Sequence, residues 1–164
     1  KINTAADVLS DMLLHSLFDA KEIDRERGVI IEEINMYADN PLIHIEDVFE
    51  NCLYGDTPAG WDTAGTVKTV KGLQRDDFVK YFQSQYVAGN ATLIIAGDLA
   101  TSQVKLLAEK YFAGVPKRRA EGKEGVKEKQ RHPELLVSYK KTDQAHIALG
   151  VRAYPAGHRD EAGP

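Results

Sequence analysis

The chain has 164 residues, 43% hydrophobic and 28% charged, with 21 Lys and Arg against 25 Asp and Glu and a formal net charge of -4. That is the balance of a globular domain with one real core, and it offers no basic surface for a nucleic-acid backbone or an anionic membrane. No apolar run approaches the roughly 18 residues that span a bilayer, and the single Cys52 excludes an intramolecular disulfide or a cysteine zinc cluster and fits a reducing compartment.

Residues 4–18 repeat apolar groups at helical spacing (Ala5, Val8, Leu9, Met12, Leu13, Leu17), with Thr4 as N-cap. Asp11 and His15 lie one turn apart there, the spacing of a surface pair. After a break at Asp19-Ala20, the segment from Lys21 to Pro41 predicts a second helix, with Ile23, Ile30, Ile34 and Tyr37 as its apolar stripe. Glu26 and Glu33, seven residues apart, return almost to one azimuth along a border of that stripe, while Glu32 points the other way. Two carboxylates so placed could hold a metal ligand, one binding and one supporting. On geometry alone the commoner case is a pair of solvated groups flanking a core. Gly28 marks either a close backbone approach or a tolerated defect. Asp39-Asn40-Pro41 ends or kinks the helix.

A third helix is predicted over residues 42–54, with Ile43, Val48, Phe49, Cys52 and Leu53 facing inward. The Gly- and Pro-rich stretch 55–65 reads as a loop that Trp61 packs onto the domain. A helix around 74–86 turns Phe78, Val79, Phe82 and Tyr86 inward, residues 91–97 read as a buried strand, and Thr101 caps a helix through Phe112. The charged, aperiodic stretch 116–132 reads as a connector. Residues 135–139 and 146–153 alternate like two strands joined at Lys141-Thr142-Asp143-Gln144. This order predicts an α+β fold, helices on one face of a mostly antiparallel sheet.

No phosphate-binding glycine loop, no G-x-S-x-G and neither H-E-x-x-H nor H-x-x-E-H occurs in the chain. His158-Arg159-Asp160-Glu161 lacks the closing histidine, and His44, His132 and His146 are scattered.

Glu26-Arg27-Gly28-Val29-Ile30-Ile31-Glu32-Glu33-Ile34, with Met36-Tyr37 and Asp39-Asn40-Pro41, closely resembles the third-ligand helix of pitrilysin/insulinase-type (inverzincin) zinc metallopeptidases, a family that includes the mitochondrial processing peptidases. The resemblance continues in order. Thr57-Pro58-Ala59-Gly60 with Gly65-Thr66 resembles a family loop in which histidine usually stands at the Thr57 position. Phe78 to Tyr86, followed by Asn90 to Asp98, resembles a helix-to-strand junction that usually has proline where Ala88 stands. Gln144 to Gly150 resembles a strand later in the same domain.

The resemblance implies that Glu33 is the carboxylate zinc ligand and that Glu26 orients a zinc-bound histidine. The histidine ligands and the water-activating glutamate would lie on an H-x-x-E-H helix, which this sequence does not contain. It further implies an incomplete metalloprotease (mitochondrial processing peptidase-like) fold. In this reading residues 1–115 are the later part of the peptidase domain, 116–132 the connector and 133–164 strands that open the next segment. With Lys1 rather than Met first and a polar tail last, the chain reads as a fragment of a zinc metalloendopeptidase, inactive alone, that acts on peptide or unfolded polypeptide. Nucleic acid and membrane are not expected partners, and a homo- or hetero-dimer with a homologous subunit is an implied assembly. The alternative is a non-catalytic peptidase-like subunit serving as peptide-binding or structural partner; the blandest is an interaction domain with no metal. Without the H-x-x-E-H helix beside it, a stripe of the Glu33 helix should be exposed or paired with a neighbouring chain.

Overall fold

A computed structural model describes residues 1–126, 130–141, 143–154 and 158. Its helices are α1 (Ile2–Leu14), α2 (Ala20–Asp39), α3 (Pro41–Tyr54), α4 (Val67–Gly72), α5 (Arg75–Gln85) and α6 (Thr101–Phe112). The chain divides into two compact units, one of residues 1–31 and 67–124, the other of residues 32–66 and 125–164.

In the first unit α1 packs on α6. The core is small: Ala6 and Ser10 of α1, Val70 of α4, Leu107 of α6, and Val87, which is completely enclosed. Ser10 is tolerated there because its hydroxyl donates to the Asp7 carbonyl at 2.9 Å. Phe18 meets Phe82 edge to face at 5.2 Å, and Phe82 stacks on Tyr86 at 4.6 Å. Phe18 takes a positive φ of 49°, which is costly for a bulky residue. The Arg75 guanidinium holds that turn by donating to the carbonyls of Phe18 at 2.8 Å and Leu17 at 3.1 Å.

In the second unit Asn40 caps α3, its side-chain oxygen accepting from the Leu42 N–H at 3.1 Å, and Pro41 occupies the first helical position. Asn40-Pro41 therefore ends one helix and starts the next. Gly55, with φ of 60°, closes α3 and returns its N–H to the Asn51 carbonyl at 2.8 Å.

Long cationic side chains finish several helix C-termini, where the last carbonyls lack helical donors and the dipole is negative. Within the first unit Arg27 donates to the Val70 carbonyl of α4. Within the second, Lys140 donates to the Ala38 carbonyl and to Asp39, both at 2.7 Å, at the end of α2. Arg152 donates to the Leu53 carbonyl of α3 and lies 5.5 Å from the Tyr54 ring.

The structure corrects the expected α+β class. Among the described residues there is no strand and no sheet; residues 91–97, 135–139 and 146–153 carry no ladder. An extended segment forms a strand only when another backbone takes up its N–H and C=O groups, and isolated pairs are marginal even then. Residues 135–139 and 146–153 have the alternation of strands and 91–97 a short apolar run, but none has the pairing. Tyr139, Ile147 and Leu149 are 92, 92 and 96% exposed. The expected joint at Thr142, part of the connector (127–129) and most of the polar tail lie outside the described residues.

Smaller corrections concern ends. α1 runs Ile2–Leu14, so Thr4 lies inside it rather than capping it. Asp19 caps α2 instead, accepting from the N–H groups of Lys21 at 2.9 Å and Glu22 at 3.2 Å. Ala100, not Thr101, is the N-cap of α6. Trp61 is exposed and serves its own loop, its indole N–H donating to Asp56 at 2.8 Å. Cys52 is only half-buried.

Candidate functional site

The candidate site begins on α2, which runs unbroken for 20 residues. Seven residues of helix separate Glu26 from Glu33 by about 10 Å along the axis and about 20° around it. Ile23, Ile30 and Ile34 are half-covered as the periodicity predicts, whereas Tyr37 is exposed. Both glutamates are exposed, and Val29 and Met36 stand open on the same side of the helix, 48 and 56% exposed. That side is uncovered among the described residues. Neither carboxylate has a hydrogen-bond or ion-pair partner there. The boundary between the units falls after Ile31, so Glu26 belongs to the first and Glu33 to the second.

The histidines do not assemble a ligand set. His15 pairs with Asp11 at 2.7 Å on the surface of α1. His44 of α3 and His146 line a groove of about 1120 Å³ in the second unit, with Val48, Phe49 and Cys52 among its apolar members. His146 Nε2 is buried there without a hydrogen-bond partner. No three His, Cys, Asp or Glu side chains among the described residues are placed to hold a metal ion.

Periodicity missed two polar residues. Arg27 sits inside the covered stripe, four residues after Ile23 and three before Ile30; its side chain is only 19% exposed. That position was readable from the helical wheel. Asp47 lies on α3 between Glu46 and Glu50. Burial first, then the charge of Asp62, push its carboxyl above the ordinary 3.8, against a lowering by His44.

Asp47 gives a pH prediction. The native chain holds its proton more tightly than the unfolded chain, so its stabilising contribution is complete below 3.8 and lost as pH rises through the raised folded value. Asp47→Asn keeps the neutral form at every pH. It is expected to raise the melting temperature at about pH 7 and to leave it unchanged at about pH 3. Equal shifts at both would remove ionisation as the cause.

Comparison with known proteins places this helix. Residues 1–67, which contain Glu26 and Glu33, match the family model described as insulinase (peptidase family M16), and residues 72–163 match the model described as the peptidase M16 inactive domain. The chain belongs to the M16 peptidase family. Within that family it is similar to the "uncharacterized zinc protease YmxG" of Bacillus subtilis, 34% identical over 95% of this chain and 37% of that protein. It is also similar to the beta subunit of the mitochondrial-processing peptidase of Caenorhabditis elegans, 30% identical over 68% of this chain and 24% of that subunit. An "uncharacterized zinc protease" of Streptomyces coelicolor is 33% identical over 90% of this chain and 33% of that protein. The chain thus spans about a third of the length of the curated bacterial relatives it matches.

The fold is shared with the M16 inactive domain structure from Pseudomonas fluorescens, at a TM-score of 0.70 and 22% identity over 75% of this chain and 30% of that one. The periplasmic protease PqqL of Escherichia coli gives a TM-score of 0.66 and 22% identity over 77% of this chain and 14% of that one. M16 membership therefore stands on sequence, and the fold likeness agrees with it.

A catalytic zinc takes three protein ligands and keeps one position open. On α2 this chain offers Glu33 as one candidate ligand and Glu26 as a support. Among the described residues no group of three His, Cys, Asp or Glu side chains completes a site around them.

Proposed function

We propose that this chain is the third-ligand segment of an M16 zinc metalloendopeptidase, with Glu33 binding zinc and Glu26 orienting a histidine ligand supplied from outside the chain. One observation carries the reading: α2 presents both carboxylates on one uncovered side, within the 1–67 match to the insulinase model. The names of the bacterial relatives as zinc proteases support the metal and the reaction class. Zinc, when bound, would activate water for attack on a peptide carbonyl. The substrate is then a peptide or unfolded polypeptide, and a homologous subunit is the proposed partner.

A second reading, a non-catalytic subunit that binds peptide or supports a partner, is favoured by the match of residues 72–163 to a model described as inactive. Glu26 and Glu33 weigh against it: a subunit that holds no metal has no metal reason to keep both carboxylates at the positions the family resemblance assigns to the zinc site.

Metal analysis and peptide cleavage decide between them. The full-length protein carrying this chain is expected to hold about one zinc per site and to cleave unfolded polypeptide, while the 164 residues alone hold little zinc and cleave nothing. A full-length protein without zinc would leave the non-catalytic reading in place.

A further inference from the structure

We infer that Arg27 is a positioning residue that sets the azimuth at which α2 presents Glu26. The Arg27 side chain is 19% exposed, while those of Glu22, Asp24 and Arg25 on the same helix are 62, 75 and 74% exposed. Its guanidinium is used in two directions. One nitrogen donates to the carbonyl of buried Val70; the other reaches Asp24, one turn back on α2, at 3.3 Å. The planar fork is thus held against its own helix while it reaches α4.

The acceptor suits this use. Val70 lies in the last turn of α4, a helix of six residues, whose final carbonyls need donors from outside the helical ladder; the Leu73 N–H serves Thr69 at 3.1 Å, the Gln74 side chain serves Gly72 at 3.1 Å, and Arg27 serves Val70. So short a helix is not stable alone, and the Arg27 bond ties it to α2. The bond also restrains rotation. Contacts of Ile23 and Ile30 are non-directional and permit α2 to roll, whereas a hydrogen bond does not. A roll of about 30° carries a side-chain tip, about 5–6 Å from the axis, through about 3 Å, and a hydrogen bond stretched that far is gone. Glu26, the adjacent residue, turns with Arg27. The use of Glu26 rests on the function proposed above; the restraint on α2 does not.

Amide residual dipolar couplings, measured on the metal-free chain, test this. Along residues 20–31 they oscillate with the helical period, and the phase relative to α4 reports the roll of α2. Arg27→Met keeps the aliphatic stem and removes the donors; it is expected to shift the phase by about 30° or more, or to halve the amplitude. Arg27→Lys, which still donates to the Val70 carbonyl, is expected to restore the wild-type phase. Leu107→Ala, a core loss on α6, is expected to leave it unchanged. A wild-type phase in Arg27→Met would overturn the inference. So would an equal disturbance in Leu107→Ala, or an Arg27→Met chain that fails to fold where Leu107→Ala folds, since Arg27 would then act on stability alone. Zinc analysis of the full-length protein is a separate readout: absence of zinc there removes the proposed function and leaves the couplings to judge Arg27.

Discussion

Glu33→Gln in the full-length protein is expected to abolish zinc retention and peptide cleavage together, while Glu26→Gln weakens both and abolishes neither. Gln has nearly the shape of Glu and nearly its helix propensity, and both positions are exposed on α2, so neither change disturbs the fold. What changes is the donor. Zinc accepts thiolate, imidazole and carboxylate; on the proposed reading, a neutral amide at position 33 would leave the metal one ligand short. At position 26 the amide can still accept from an imidazole N–H, without the charge that raises ligand basicity. Losses at such supporting groups run to about 10–100-fold in metal affinity or activity, and the loss at Glu33 should exceed that range. Zinc content by elemental analysis, beside cleavage of an unfolded polypeptide, reads both. If Glu33→Gln keeps its zinc, the ligand lies elsewhere and α2 is a structural helix with two solvated glutamates.

The parts of the fold legible in the sequence are those that a local segment decides for itself. The Lys21–Pro41 pattern predicts α2 almost to its ends, because helical hydrogen bonds close within the segment and Asn40-Pro41 supplies both a stop and a start. That the expected sheet is missing among the described residues was not legible in the same way. Alternation at 135–139 and 146–153 reports side chains meant for two environments, but a strand exists only with its neighbour, and among the described residues no neighbour pairs with either. α4 escaped notice because six residues carry too little periodicity to see. For the site, spacing put Glu26 and Glu33 on one side of α2, and the resemblance to a family gave them roles that spacing left open. Arg27 was passed over because an arginine inside an apolar stripe reads as noise until a carbonyl one helix away explains it.

Gly60→Ala and Gly28→Ala, two changes alike in chemistry, are expected to move stability in opposite directions. Gly60 is buried in the loop that follows α3, and its carbonyl accepts from the Asn51 side chain at 3.3 Å. A Cβ there would stand 2.4 Å from the Gly55 carbonyl oxygen and 3.1 Å from the Tyr54 Cβ. The nearer obstacle is backbone, and that backbone is fixed: Gly55 closes α3 at positive φ and its carbonyl already accepts from the Thr57 N–H at 2.8 Å. Relief must come from moving the loop off α3. Overpacking of this kind costs about 1–3 kcal/mol, or a fall in melting temperature of about 2–4 °C per kcal/mol at this size. Gly28 lies mid-helix on α2 with nothing within 4 Å of an added Cβ. That makes it a tolerated defect rather than a close approach, and alanine there should stabilise by about 0.5–1 kcal/mol through the lost freedom of the unfolded chain. Thermal unfolding of the two variants beside wild type separates steric from entropic control. A neutral Gly60→Ala would mean that the loop relaxes freely, and the small residue at that point of the Thr57-Pro58-Ala59-Gly60 turn would then have no packing reason to be there.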